Sequence, residues 1–151
     1  MFRKILPVAA SAILFFTHTT MAQSALEKGQ AFLAENATKP GVQKTASGLQ
    51  YLIVNPGEGR SPKATDTVKV NYRGTLLDGT EFDSSYKLNE PIEFPLNGVI
   101  KGWTEGLQLI KEGGKITLFI PSNLAYGPRG AGGAIGPDET LIFDVELLKV
   151  R

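Results

Sequence analysis

"NGVIKGWTEGLQLIKEGG", residues 97–114, breaks the rhythm of everything around it. Val99, Ile100, Trp103, Leu107 and Ile110 recur three or four positions apart, the spacing that gathers apolar side chains on one face of a helix. Asn97 can cap its start, and Gly113-Gly114 can end it. On both sides of this helix the period is two. "TVKVNYRGTL" (67–76) alternates Val68, Val70 and Tyr72 with Lys69, Asn71 and Arg73, a half-buried strand. Asp78-Gly79 then gives a hairpin turn, and "TEFDSS" (80–85) starts the return. "LQYLIV" (49–54) is strand-like, and "PIEFPL" (91–96) sets Ile92, Phe94 and Leu96 on one side. Downstream come "KITLFIP" (115–121) and "TLIFDVELLKV" (140–150). The last run is apolar on both faces, so it is expected to be central and covered on both sides. Five or six strands, mostly joined by short turns, and one core helix make an α+β fold, an antiparallel sheet curled over one short helix.

Ahead of the sheet, "SALEKGQAFLAEN" (24–36) predicts a short N-terminal helix capped by Ser24. Leu26, Phe32 and Leu33 give it only a weak apolar face, so it reads as a surface appendage. Earlier still, Phe2-Arg3-Lys4 leads into the apolar run Ile5 to Phe16 and a polar stretch ending "TMAQS". That is the layout of a secretory signal peptide, cut after Ala22. The run is too short for a bilayer, which takes roughly 20 residues. The resulting division is 1–22 signal, 23–46 short helix and linker, and 47–151 a single domain.

Loss of residues 1–22 removes Arg3 and Lys4 and no acid, taking the net charge from +1 to −1. That excludes the basic footprint of a nonspecific nucleic-acid binder. The chain has no Cys, and its one His (His18) and both Met (Met1, Met21) lie in the leader. The remainder therefore lacks the side chains of Ser-His-Asp and Cys-His triads, of thiol redox chemistry and of the usual zinc sites. Carboxylates, Lys, Tyr, Ser/Thr and the backbone are left to act. A glycosidase built on two carboxylates has no isolated acid pair to point to.

"LAYGPRGAGGAIGP" (124–137) holds five of the 17 glycines. It fails the phosphate-loop pattern, because Pro137 and Asp138 stand where Lys and Ser/Thr are needed. A flexible spacer would need neither Tyr126 nor Ile135, and it would not be expected between two core strands. Aromatics gather at element ends: Tyr72, Phe82, Phe94, Trp103, Tyr126 and Phe143. Each alone is explained by core packing. Together with Val99, Ile100 and Ile135 they are a large ring area around one short helix, which a concave aromatic pocket explains as well. Asp83 follows Phe82 and precedes Ser84-Ser85, where an Asx turn and a place at the pocket edge are both open.

"VNYRGTLLDGTEFDSS", "VIKGWTEGLQLIKEGGK" and "LAYG…IGPDETLIFDVELL" together resemble an FKBP-type peptidyl-prolyl cis-trans isomerase over about residues 47–151. The segment before them resembles that of exported bacterial members of the macrophage infectivity potentiator (Mip) type, shortened to one helix. The resemblance implies a pocket floored by Trp103 and walled by Tyr72, Phe82, Phe94 and Phe143, with Val99 and Ile100. It further implies that the Ile100 N–H and the Tyr126 hydroxyl bind substrate carbonyls, that Ile135 closes the rim, and that Asp83 holds polar groups at the edge. Asp83, Tyr126, Phe143 and Tyr72 would be the catalytic set. Ile92 stands where many relatives have an aromatic, which implies a shallower wall there. Gly136 stands where many have Pro, a variant that also occurs in Mip-type members, and both departures bear on affinity and sequence preference.

The implied activity is isomerisation of X-Pro bonds in exported proteins, with no cofactor or metal. Proline-containing polypeptides would be the partners and rapamycin-type macrolides the inhibitors. The implied location is the periplasm, with secretion or outer-membrane association as alternatives. Neither nucleic acid nor stable membrane insertion is expected once the leader is gone. The oligomeric state is open, with a monomer favoured. The competing reading is a holding chaperone or adhesion module that grips apolar segments with little chemistry. Retention of both Asp83 and Tyr126 favours the isomerase.

Overall fold

The computed structural model describes residues 23–151, so the leader reading lies outside the described residues. Helix α1 (Ala25–Asn36) starts at Ser24, and Glu27 completes a reciprocal cap. Glu27 N–H donates to Ser24 Oγ (3.1 Å), and Ser24 N–H donates to Glu27 Oε1 (2.9 Å). Seven strands follow: β1 (Gln43–Lys44), β2 (Gln50–Asn55), β3 (Thr67–Thr75), β4 (Glu81–Ser84), β5 (Ile92–Pro95), β6 (Lys115–Ile120) and β7 (Leu141–Val150). Helix α2 (Lys101–Gly106) lies between β5 and β6. The pairings are antiparallel in the order β1-β2-β6-β7-β3-β4. β3 is long enough to serve two partners on one side, β5 along Thr67–Val70 and β4 along Arg73–Thr75. The expected five or six strands thus gain the two-residue β1.

β7 is central, as its composition predicts. Leu141, Phe143, Val145, Leu147 and Val150 are buried. The step of three at the end reflects a register shift opposite Lys69 and Val70, which turns Val150 back to the core. Its other face corrects the expectation of double cover. Asp144 and Lys149 are exposed, and Ile142, Glu146 and Leu148 are only half-buried.

The core helix is shorter than residues 97–114. A 3-10 turn covers Leu96–Gly98, α2 takes six residues, and a second 3-10 turn covers Leu107–Leu109. Three-residue turns keep apolar positions three apart, so the spacing persists where the α-helix does not. Asn97 is not the cap; Ile100 occupies that position without a side-chain bond. Gly102 and Gly106 let α2 lie directly on the sheet. A Cβ at Gly106 would stand 2.5 Å from Leu118 Cδ2, and one at Gly102 2.6 Å from Ile120 Cγ2.

α1 corrects the appendage reading. It packs on the opposite face of the sheet, where Phe32 meets Phe119 at 6.0 Å between ring centroids. A Cβ at Gly29 would fall 2.2 Å from Thr140 Oγ1. Buried Asn36 donates from Nδ2 to Gln50 Oε1 (2.9 Å), and Gln50 Nε2 donates to Leu33 O (2.8 Å).

Candidate functional site

Between its two glycine contacts, α2 meets rings instead of aliphatic chains. Trp103 projects from α2 onto Tyr72 of β3, Phe143 of β7 and Phe94 of β5. The centroid distances are 5.2, 5.2 and 5.4 Å. Phe82 of β4 meets Phe143 at 5.4 Å. Three of these pairs are nearly perpendicular, at 84°, 90° and 89°, the favoured edge-to-face arrangement. Gly74 makes room for the two phenylalanines, since a Cβ there would lie 2.7 Å from both rings.

The rings enclose a hollow of about 470 Å³. It is lined by Tyr72, Phe82, Asp83, Ile92, Phe94, Gly98, Val99, Ile100, Trp103, Tyr126 and Phe143. Nine of the ten residues singled out in the sequence are among them. Ile135 is the exception. It is 8% exposed, belongs to the hydrophobic core and pairs with Ala131 across a narrow bridge (2.9 and 3.2 Å). It is not among the lining residues, and it stands in the lip as a buried residue. Ile92 lines the hollow in β5. Gly98 lines it too, a position with no signal in residue type or spacing because it contributes only backbone.

Polar groups are few and sit at the edge. Tyr72 Oη donates to Asp83 Oδ2 at 2.5 Å. Asp83 Oδ1 accepts from the adjacent Ser84 N–H at 2.9 Å, while the Ser85 N–H that an Asx turn would use goes to Tyr72 O (3.0 Å); Asp83 itself lines the hollow. Burial, then the hydrogen bond to Asp83 and its charge, push the Tyr72 phenol well above the ordinary tyrosine range. It therefore stays protonated as a donor. Burial first, and the Asp83 charge second, also push Tyr126 up. Tyr126 is 39% exposed on the lip. Its hydroxyl and the Ile100 N–H have no hydrogen-bond partner among the described residues. The Trp103 Nε1–H is buried and likewise unpartnered.

The lip is held by its own backbone. Asp138 N–H donates to Gly127 O (2.9 Å), and Gly130 N–H donates to Tyr126 O (3.2 Å). Gly130 has φ +70, and a Cβ on it would meet Ile135 O at 2.3 Å, so glycine is required there. The segment presents Tyr126 rather than acting as a spacer. No cluster of His, Cys, Asp and Glu fit to hold a metal occurs among the described residues.

A family profile described as "FKBP-type peptidyl-prolyl cis-trans isomerase" matches residues 58–148, every lining residue included. The chain belongs to the FKBP-type isomerase family. A second profile, "Domain amino terminal to FKBP-type peptidyl-prolyl isomerase", matches residues 11–53. The chain is 58% identical over 133 residues to "Probable FKBP-type peptidyl-prolyl cis-trans isomerase FkpA" of Neisseria meningitidis serogroup B, covering 88% of this chain and 49% of that one. It is 52% identical to "Outer membrane protein MIP" of Legionella longbeachae, covering 82% and 53%. The crystal structure of FkpA from Escherichia coli superposes with a TM-score of 0.80 at 55% identity, covering 82% of this chain and 58% of that chain. The chain thus spans about half the length of these FKBP-type relatives. The fold is the FKBP-like sheet over one short helix.

Proposed function

We propose that this chain is a peptidyl-prolyl cis-trans isomerase that acts on X-Pro bonds of exported polypeptides without covalent chemistry. One observation carries the reading. An aromatic hollow is floored by a tryptophan, and its unpartnered donors, Ile100 N–H and Tyr126 Oη, belong to residues that line it. Family membership supports it, as do the printed names of the relatives.

Rotation about a peptide bond breaks its resonance against a barrier of about 18–20 kcal/mol. For X-Pro the uncatalysed step takes about 10–100 s. No bond between atoms is made or broken, so neither a nucleophile nor a metal is required. The planar amide is more polar at its carbonyl than the twisted one. A dry ring-lined wall therefore disfavours the planar state more. Trp103 would support the pyrrolidine ring between Tyr72, Phe82, Phe94 and Phe143. Ile100 N–H and Tyr126 Oη would hold flanking carbonyls in the bent shape, and contacts made better in the twisted state accelerate it. Asp83 fixes the Tyr72 hydroxyl and would touch the substrate at the edge. A thousandfold acceleration needs only about 4 kcal/mol.

We assign residues 1–22 to a signal peptide and 47–151 to the isomerase domain, with the periplasm as the site of action. The Legionella relative's printed name supports export. Among the described residues no helix is long and apolar enough to cross a membrane.

A proline-isomerisation assay on a tetrapeptide tests the proposal. Catalysis should be clear and should be inhibited by rapamycin-type macrolides. In Asp83→Ala, kcat/KM should fall by about tenfold or more, a loss of at least ~1.4 kcal/mol, with the far-ultraviolet spectrum unchanged. A wild-type chain that keeps unfolded polypeptides in solution but leaves the isomerisation rate unchanged would establish the holding reading instead.

A further inference from the structure

Among the described residues the sheet has an open edge beside the hollow, formed by β5 and β4 along β3. Successive residues of a strand turn their N–H and C=O to opposite sides. Thr67 exchanges both bonds with Arg151 (2.9 and 2.8 Å) on the β7 side, so Val68 faces β5. Leu96 N–H donates to Asp66 O (2.9 Å), so Phe94 and Ile92 face β3. The outward positions are therefore Pro91, Glu93 and Pro95. Two of these three residues have no N–H to offer. Further along, Ser85 faces β3 through Tyr72 O (3.0 Å), and the outward N–H of Ser84 is already taken by Asp83 Oδ1.

An unpaired edge of this kind is a template for any extended polypeptide. Here the same strand turns Ile92 and Phe94 into the hollow, so whatever is drawn to the rings lies against the edge. Prolines are tolerated on edge strands because their missing donors face away from the sheet. We propose that Pro91 and Pro95 stop β5 from adding a strand. An extended polypeptide is then held at the hollow through side chains and rim groups and is released, rather than zipped onto the sheet. Glu93, the one outward donor left between them, is exposed and carries a charge paired with Arg151 Nη2 at 2.5 Å. The inference stands on strand geometry and does not depend on whether the hollow isomerises proline.

Pro95 has φ −69 and ψ 133, a conformation that threonine also adopts, so its N–H can be restored without moving the chain. The test compares wild type, Pro91→Thr/Pro95→Thr and, as a control away from the edge, Pro56→Thr. The probe is a reduced and alkylated, permanently unfolded polypeptide, and the readouts are affinity and amide hydrogen exchange. The double variant should bind the probe about fivefold more tightly for each restored donor, with the amides of residues 91, 93 and 95 protected. Wild type and Pro56→Thr should leave the Glu93 amide open. Protection of the same amides by self-pairing of the double variant supports the proposal equally. Unchanged affinity and open amides in a double variant that melts like wild type overturn it. So does protection of the Glu93 amide by the probe in wild type. If the double variant does not fold, Pro95→Thr alone gives the same reading at half the gain.

Discussion

Both faces of the sheet are approached by a helix that makes contact through glycine, and the two outcomes differ. On one face α1 rests Gly29 on Thr140, seats Phe32 on Phe119 and buries an amide pair whose polar groups find partners. On the other, α2 rests Gly102 and Gly106 on Ile120 and Leu118, but its next contacts are rings. Aliphatic chains and paired amides can settle into available space. Rings that meet edge to face have few rotamers and hold one another apart, so the space between them survives folding. One face is met by adaptable groups and keeps only a smaller hollow of about 340 Å³ beside α1, and the other holds the larger one between rigid rings.

The largest test of that difference is Trp103→Ala. It removes the floor on which three rings lean and should cost about 3–5 kcal/mol in chemical denaturation, along with the proposed isomerisation. A loss below that of the next variant would break the comparison. Asn36→Ala, on the α1 face, leaves Gln50 Oε1 buried without its donor and should cost about 1–3 kcal/mol. The isomerisation rate of the folded protein should not change, which sharpens the separation between the faces. The smallest effect is alkaline. Tyr72 holds its proton more tightly folded than unfolded, so its stabilising contribution is complete below the ordinary tyrosine pKa of about 10. As pH rises further, the unfolded chain loses that proton first, and stability falls. Thermal melting against pH should show the decline in wild type and a flatter curve in Tyr72→Phe.

Much of this was legible from residue spacing. The strands declared themselves by period two, and β7 by its apolar length. Aromatics too numerous for one short helix pointed to a cavity. What stayed hidden depended on contacts distant in sequence. Gly29 means nothing until Thr140 is placed above it, so α1 read as loose. The resemblance gives Ile135 a rim role, but its burial and its bridge to Ala131 have no signal in the local spacing. The true length of α2 was masked because 3-10 turns on both sides preserve the apolar spacing.

The floor of the hollow is the chain's single tryptophan, buried, with its indole nitrogen finding no acceptor among the described residues. Its emission should therefore sit toward the blue, fed by excitation handed on from Tyr72 at 5.2 Å. Any occupant that covers the indole changes the surroundings of this one fluorophore. The protein thus carries an optical gauge of its own occupancy, and no label is needed to read it.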